Sequence, residues 1–246
     1  VARKGCAIVG LAKACGAIRP SDVAAMGCTD STLDLDKEGR ALLAQLHLDA
    51  SIHGEGKSHM LDPLWRHPDT GAVFWVGSER AARNLDVLRK HKIQRIVNCT
   101  ADMPNFHEAT DQASGSIKYL RFDVASHWCK VKTPGAAEAF VEPLLAFVVE
   151  SLAQGHSVMA HCLAGAHRAG ATGVICLMHL AHFDSAEALA AAQRCRPIIR
   201  MIGRFPALLR HLDVAWSARR QGEMAQKANL RTTERVRRAV ATSGGA

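Results

Sequence analysis

Residues 157–182 restrict the possible folds more than any other part of the sequence. Residues 157–161 form a short apolar strand candidate, residues 162–168 form a loop that contains glycine, and residues 170–182 have the composition of a buried helix. A strand, a tight loop and a helix in direct succession are typical of proteins in which helices pack on the faces of a sheet with parallel members.

Strands and helices are predicted to alternate along most of the chain. The predicted strands are 73–76, 93–99, 117–122 and 157–161, and the predicted helices are 79–91, 135–153, 170–182, 185–194 and 205–215. Ser78 and Asp184 are suitable caps for two of the helices, and Pro143 predicts either a kink or a helix start near Glu142. The fold class is therefore α/β, with a central sheet of four to five mostly parallel strands flanked by helices.

The chain divides into three parts by composition. Residues 1–61 are an Ala- and Gly-rich extension that we expect to be weakly structured, with a short amphipathic patch at 39–48. Residues 62–218 are the predicted domain. Residues 219–246 are a basic tail with seven Lys or Arg and two Glu. Such a tail forms either a basic helix that contacts acidic surfaces or RNA, or a solvated charged segment.

The bulk composition is that of a globular protein. Hydrophobic residues make up 48% and charged residues 22% of the chain, which argues against a disordered protein. No apolar run approaches the roughly 20 residues that a membrane-spanning helix needs, so no transmembrane segment is expected. The formal net charge of +8 favours anionic partners.

The eight cysteines are scattered and form no Cys-x-x-Cys pair. That distribution argues against a zinc ribbon or a thioredoxin-type site. A disulfide framework is not expected either, because the chain is larger than typical disulfide-rich domains and shows no evident signal peptide. We expect an intracellular, reducing compartment, cytoplasmic by default. An organelle stays open because the chain begins at Val1.

The segment 161–170, HCLAGAHRAG, carries the candidate chemistry. Backbone N–H groups of a loop between a strand and a helix converge with the positive helix end on one anion. The same donors would stabilise a thiolate at Cys162, and Arg168 offers a planar fork for two oxygens of an oxyanion. Gly165 allows the tight turn. The alternative is a buried structural cysteine in a strand-to-helix turn.

This segment resembles the HCxxGxxR signature of the protein tyrosine phosphatases, specifically the dual-specificity branch. Two further segments resemble the family: residues 74–105, from FWVGSER to ADMPN, and residues 194–212, RCRPIIRMIGRFPALLRHL. The resemblance covers about residues 64–216 and implies a phosphotyrosine-phosphatase-like fold. It also implies hydrolysis of phosphate monoesters through a cysteinyl-phosphate, with phosphoprotein as substrate and no metal or organic cofactor. The implied phosphate-binding loop consists of His161, Leu163, Ala164, Gly165, Ala166, His167 and Arg168.

The resemblance assigns roles to residues around the loop. Asp123 matches the family's general acid, although it lies 39 residues before Cys162, a longer separation than usual, and is otherwise a turn or cap residue. Asp102 is the fallback acid. His161 is expected to orient the loop through backbone hydrogen bonds, or else to be a satisfied core histidine. His167 is expected at the rim of the pocket, where apolar Leu163 and Ala166 favour a phosphopeptide.

Two positions near the loop bear on turnover and regulation. Ala169 stands where the family usually has Ser or Thr, whose hydroxyl helps the cysteine to leave, so slow turnover is expected. Thr172 either substitutes for that hydroxyl or bonds its own helix backbone. Cys99 matches a cysteine that forms a reversible disulfide with the nucleophile in some relatives, or else it is a small buried hydrophobe.

One other class of function stays open. Ala169, the lengthened segment after Asp123 and the two terminal extensions are also compatible with a weak or inactive phosphatase fold. Such a protein would act as a binding module or as a structural subunit of a larger assembly.

Overall fold

The computed structural model describes residues 33–45, 60–108 and 117–217. Its centre is a five-stranded sheet in the order β1-β2-β5-β3-β4. Strand β1 is antiparallel to β2, and the remaining neighbours are parallel. The strands are β1 (Leu61–Arg66), β2 (Val73–Ser78), β3 (Ile93–Asn98), β4 (Lys118–Arg121) and β5 (Ser157–Cys162). The predicted α/β class is confirmed.

Helices cover both faces of this sheet. They are α1 (Leu35–Gln45), α2 (Glu79–Arg83), α3 (Leu85–Lys90), α4 (His127–Lys130), α5 (Pro134–Ala153), α6 (Arg168–Leu180) and α7 (Ser185–Cys195), with a 3-10 turn at Val124–Ser126. A last helix, α8, covers residues 205–217, where the described part of the chain stops.

The hydrophobic core lies on both sides of β5, whose six residues are all buried. On one face, Phe74, Val158 and Ile175 belong to a large cluster that also includes side chains of α5, α7 and α8. On the other face, Leu88, Ile96 and Met159 form a smaller cluster. Because β5 is covered on both faces, all of its side chains are buried, including polar Ser157 and His161, and packing fixes its position.

Strand β1 is the element that the sequence pattern did not predict. It contains Pro63, and its register with β2 shifts between Pro63 and Trp65. Proline lacks a backbone N–H and is therefore tolerated at a sheet edge but not in its centre. The edge position of β1 explains how a strand can form around a residue that argues against one.

The predicted helix 79–91 is two helices that meet at Asn84. The Asn84 side chain accepts hydrogen bonds from the backbone N–H groups of Asp86 and Val87, at 3.0 and 3.1 Å. Asparagine is among the best N-capping residues, so it starts a new helix here. Ser78 stands at the predicted N-cap position of the first helix, but its side chain makes no capping hydrogen bond, and its hydroxyl donates instead to the Met60 carbonyl at 3.4 Å.

Helix α5 is continuous through Pro143, so the alternative start near Glu142 is wrong. Thr133 caps its first turn by accepting from the Ala136 N–H at 3.2 Å. The predicted cap at Asp184 is confirmed, since Asp184 forms a reciprocal capping box with Glu187 at the start of α7.

The terminal extensions are described only in part. Residues 1–32, 46–59 and the basic tail 219–246 lie outside the described residues. Within the extension expected to be weakly structured, residues 35–45 form helix α1, which corrects that expectation for this segment. Among the described helices, none is by itself long and apolar enough to cross a membrane.

Candidate active site

Cys162 and Arg168 bracket a tight loop at the carboxyl end of β5. Cys162 is the last residue of that strand and Arg168 is the first residue of α6. Both are buried, with 2% of Cys162 and 7% of Arg168 exposed. A helix N-terminus at this position adds its positive end to the loop. The structure therefore places the predicted thiol and guanidinium at the two ends of one short turn.

The outer carbonyls of the loop are held by neighbouring backbone. The Leu163 carbonyl accepts from the Glu79 N–H at 3.1 Å, and the Ala166 carbonyl accepts from the Arg200 N–H at 3.2 Å. Each peptide unit points its N–H opposite to its carbonyl. Fixing these carbonyls toward the protein therefore turns the associated N–H groups toward the inside of the loop.

Arg196 binds the two carbonyls that lie between residues 163 and 166, those of Ala164 and Gly165. Its Nη2 donates to the Ala164 carbonyl at 3.0 Å and its Nε donates to the Gly165 carbonyl at 2.7 Å. Its Nη1 donates to Asp62 Oδ2 at 2.6 Å. The carbonyls of residues 163–166 thus all accept from outside the loop. Within the described residues, the N–H groups of residues 163–167 have no acceptor, and those of residues 164–167 lie opposite the four fixed carbonyls in their peptide units.

The Arg196–Asp62 pair is buried beneath the loop, with only 3% and 10% of the two side chains exposed. Burial lowers the pKa of Arg196, and the facing Asp62 carboxylate opposes that change. A buried guanidinium needs such a partner because an isolated charge in the interior is costly. The pair therefore acts as a fixed support for the loop.

Gly165 is required by both backbone conformation and space. Its φ is +69°, a backbone conformation that residues with a Cβ rarely adopt. A Cβ at this position would lie 2.5 Å from the Gly77 carbonyl oxygen and 2.8 Å from Arg196 Nη2. The glycine that the sequence marks as a turn residue is thus also the point where the loop meets β2.

Arg168 forms an ion pair with Asp36 of helix α1. Arg168 Nη2 donates to Asp36 Oδ1, whereas Arg168 Nε is buried and has no partner within the described residues. Burial lowers the pKa of Arg168, but the facing Cys162 and Asp36 outweigh it and the net change is upward. One nitrogen of the guanidinium is therefore paired with a carboxylate, and Nε is left without a partner among the described residues.

His161 differs from the expectation. Within the described part of the chain neither of its ring nitrogens has a hydrogen-bond partner, so the predicted backbone hydrogen bonds are absent. The ring lies 6.2 Å from the Phe106 ring. Burial, with smaller contributions from Arg121 and Arg168, lowers the pKa of His161 to about 3. The side chain is a neutral, buried spacer under the loop.

His167 is also placed differently from the prediction. It is buried and not at an exposed rim. Burial and the nearby charges of Arg168 and Arg200 lower its pKa to about 4. It is therefore neutral at physiological pH and is not an outward-facing contact.

The candidate acid Asp123 follows strand β4 and begins the segment 123–133. This segment is attached to the C-terminal part of the domain, because His127 Nε2 lies 3.1 Å from the Arg204 carbonyl. The His127 ring also stacks on Phe205, with centroids 5.4 Å apart. Asp123 is half-buried. Asp102, the fallback acid, is exposed after β3. The extra residues after Asp123 thus form a short anchored helix.

Thr172, Cys99 and Ala169 are the three positions near Cys162 whose roles the sequence left open or marked as unusual. The Thr172 hydroxyl donates to the Arg168 carbonyl at 3.0 Å, the bond to its own helix that the sequence left open. Cys99 is fully buried, and burial raises the pKa of its thiol, with a further rise from Cys162. Ala169 is buried and has no side-chain donor.

Sequence reasoning missed three residues of the site: Arg196, Asp62 and Asp36. Arg196 carries a weak signal, since it precedes Pro197 in a segment that resembles the family. The two aspartates carry none, because they are separated from their arginines by 134 and 132 residues.

Comparisons with known proteins agree with this architecture. The family described as "Dual specificity phosphatase, catalytic domain" matches residues 74–212, more than half of the chain. Human dual specificity protein phosphatase 9 is 31% identical over 121 residues, covering 49% of this chain and 29% of that protein. Dual specificity protein phosphatase Mpk3 of Drosophila melanogaster is 27% identical over 129 residues, covering 51% and 28% respectively. The chain thus spans less than a third of the length of these relatives.

Solved structures show the same fold. The crystal structure of human DUSP28 matches with a TM-score of 0.50 and 20% identity, covering 67% of this chain and 99% of that chain. On the family match, the chain belongs to the dual specificity phosphatases of the protein tyrosine phosphatase superfamily.

Proposed function

We propose that this domain hydrolyses phosphate monoesters of phosphotyrosine, phosphoserine or phosphothreonine proteins through a cysteinyl-phosphate. The observation that carries the proposal is the loop 162–168. Its carbonyls at residues 163–166 all accept hydrogen bonds from outside the loop, and Arg168 Nε is buried without a partner among the described groups. Such a ring of donors fits a tetrahedral dianion.

In the first step, the Cys162 thiolate attacks phosphorus and a P–S bond forms. The bond between phosphorus and the substrate oxygen breaks, and Asp123 donates a proton to the departing oxygen. In the second step, water attacks the same phosphorus while Asp123 takes up a proton, the P–S bond breaks, and phosphate leaves. Arg168 and the loop N–H groups bind the equatorial oxygens in both steps.

The second step is expected to be the slower one. Ala169 offers no hydroxyl to the leaving sulfur, and the Thr172 hydroxyl is already bonded to the Arg168 carbonyl. Losing one hydrogen-bond donor to a developing charge costs about 10- to 1,000-fold in rate. The phosphoenzyme should therefore accumulate during turnover.

The test compares wild type with Cys162→Ser on an aryl phosphate and on phosphopeptides. We expect Cys162→Ser to lose at least about 10³-fold in kcat, because the serine hydroxyl is a far weaker nucleophile. Cys129→Ser is the matched control, since Cys129 is an exposed free cysteine, and it should keep the wild-type rate. Asp123→Asn should lose about 10²-fold or more with a poor leaving group.

Equal rates for wild type and Cys162→Ser would contradict the proposal. They would favour the alternative of an inactive phosphatase fold that serves as a binding module. Mass spectrometry of acid-quenched enzyme adds a direct readout, because the phosphoenzyme increases the mass of the peptide that contains Cys162.

Cys99 is proposed as a reversible redox partner of Cys162. Asn98 pairs with His161 in the register of β3 and β5, and the Cys99 N–H donates to the His161 carbonyl at 2.9 Å. The next residues, Cys99 and Cys162, thus lie beside each other across strands about 4.8 Å apart. Hydrogen peroxide would oxidise Cys162 to a sulfenic acid, and the Cys99 thiol would then displace water to form the disulfide. Nonreducing peptide mapping after mild peroxide tests this, and a map without the 99–162 peptide would reject it.

A further inference from the structure

Helix α1 lies directly on the loop 162–168. The side chain of Asp36 in its first turn contacts Arg168, and the pair is buried on the arginine side, with 8% of Arg168 and 37% of Asp36 exposed. The start of the helix is fixed by Asp34, whose side chain accepts from the N–H groups of Asp36 and Lys37 at 3.0 and 2.9 Å. The carboxylate is therefore presented to the guanidinium from a defined helix end.

A second, apolar contact is independent of this ion pair. Leu42 is buried against Ala164 and Ala166, and Leu43 and Ile198 pack around them. Leu42 lies six positions after Asp36, so around the helix the two side chains are roughly 120° apart, and each contacts the loop from its own edge of that arc.

Gly39 lies between these two contacts and is itself next to the loop, at ordinary van der Waals distances. A Cβ on Gly39 would be 3.4 Å from Leu163 Cδ2 and 3.7 Å from the Ala164 Cβ. Helix α1 thus meets the loop along its length through one face, formed by Asp36, Gly39 and Leu42.

The residues just before this face reach the other side of the site. Leu33 and Leu35 line a small crevice together with His127, Trp128 and Gly203. His127 belongs to the anchored segment that follows Asp123. Residues 33–43 thus contact both the segment that follows the candidate acid and the loop 162–168.

We propose that α1 is an intramolecular pseudosubstrate, in which the Asp36 carboxylate occupies Arg168 in place of a phosphate oxygen and Leu42 holds the helix on the loop. The proposal rests on the proposed function of the loop as a phosphate site. Substrate then binds only when α1 is displaced from this surface.

The geometry favours displacement by phosphate over permanent closure. Asp36 accepts from one nitrogen of Arg168. Within the described residues, Arg168 Nε and the N–H groups of residues 163–167 have no hydrogen-bond partner. A phosphate has enough oxygens to accept from all of these donors, so it gains contacts that the carboxylate lacks. If α1 occupies the site in some of the molecules, phosphate binds only to the others. The apparent affinity for phosphate is then the intrinsic affinity multiplied by the fraction of molecules in which the site is open.

The experiment measures binding of inorganic phosphate by calorimetry and hydrolysis of an aryl phosphate for four versions of the full chain. Asp36→Asn removes the charge that faces Arg168. Leu42→Ala removes only apolar packing and touches no candidate phosphate contact. Glu38→Gln is the matched control, because Glu38 is exposed on the same helix and its substitution removes the same unit of charge.

We expect Asp36→Asn and Leu42→Ala each to raise phosphate affinity and kcat/KM by roughly 10-fold, because each raises the open fraction. Glu38→Gln should change both by less than about 2-fold, since an exposed charge is screened. Hydrogen exchange supplies the third readout. Amides of residues 35–45 should lose protection when phosphate saturates the wild-type protein.

The outcomes separate this proposal from the proposed function. If Leu42→Ala leaves phosphate affinity unchanged, the pseudosubstrate role is wrong even when Cys162-dependent hydrolysis is observed, and any effect of Asp36→Asn is then electrostatic only. If no variant hydrolyses esters but both variants bind phosphate more tightly, the covering role stands and the catalytic proposal fails. Absence of phosphate binding in all four versions overturns both.

Discussion

Two arginine–aspartate pairs contact the same loop from opposite sides, and they differ in burial and in bonding. Beneath the loop, Arg196 and Asp62 are almost fully buried, and the arginine also donates to two loop carbonyls. Above it, Arg168 is buried but Asp36 is more than one-third exposed, and Arg168 Nε has no partner among the described groups. One pair is complete, and the other leaves donors unused.

The difference indicates which charge is structural and which is available for chemistry. Removing one partner of a buried pair leaves an uncompensated charge in the interior, so Asp62 and Arg196 depend on each other. Asp36 is more than one-third exposed, so water and salt compete with Arg168 for its carboxylate. Asp36 can therefore be exchanged for another anion, whereas Asp62 cannot.

The largest expected effect is on stability when Asp62 is changed. Asp62→Asn keeps the shape of the side chain but removes the carboxylate charge that lies 2.6 Å from buried Arg196, so we expect a loss of about 3–5 kcal/mol in the free energy of unfolding. For a domain of this size that corresponds to roughly 10 °C in Tm, measured by differential scanning calorimetry.

Two other substitutions complete this test. Asp69→Asn is the matched control, since Asp69 is exposed, and Asp36→Asn should likewise lose less than about 1 kcal/mol. Equal losses for Asp36→Asn and Asp62→Asn would show that both pairs are structural and would end the distinction between them.

A smaller effect is expected from the buried histidine next to the loop. The pKa of His161 falls to about 3 in the folded protein because of burial, against about 6.5 in the unfolded chain. Between these values the unfolded state binds more protons, so stability is full above about pH 6.5 and is lost as pH falls toward 3. The expected loss from this residue between pH 7 and pH 5 is ~2 kcal/mol.

The measurement is chemical denaturation of wild type and His161→Gln at pH 7 and pH 5. Glutamine does not titrate, so the variant should lose less stability over this interval than wild type. Other histidines with lowered pKa, including His167, act in both proteins and cancel in the comparison. Parallel pH dependences would mean that a partner compensates the charge of His161, as Asp62 does for Arg196.

The smallest expected effect concerns chemistry on the substrate side of the loop. Ala169→Ser places a hydroxyl directly after Arg168 without touching the Arg196–Asp62 support, and we expect a rise in kcat of about 10-fold. Rapid-quench measurements should show a smaller burst of phosphoenzyme because its hydrolysis becomes faster. An unchanged burst would indicate that loss of sulfur does not limit turnover.

Much of the fold followed from local patterns. Apolar β-branched runs marked β2, β3 and β5, and Asp184 marked the start of α7 through its capping box. The errors also have local causes. Strand β1 was missed because Pro63 argues against a strand in general but not at an edge, and Asn84 divided a helix by capping a second one.

The sequence predicted the loop of the candidate site but not the residues from other elements that contact it. Cys162, Gly165 and Arg168 have characteristic spacing, and all three lie within a single turn. His161 and His167 were placed wrongly in detail, because the sequence does not show which ring nitrogens meet a partner once the chain packs.

The sequence by itself determined the alternation of strands and helices and the short loop with a thiol, a glycine and a guanidinium. These depend on periodicities of two to four residues and on turn chemistry, which neighbours along the chain settle. Only the tertiary structure decided that Arg196 and Asp62 support the loop and that Asp36 covers it. Contacts between residues more than 130 positions apart depend on packing of the whole domain. A single charged residue has no sequence pattern from which its partner could be predicted.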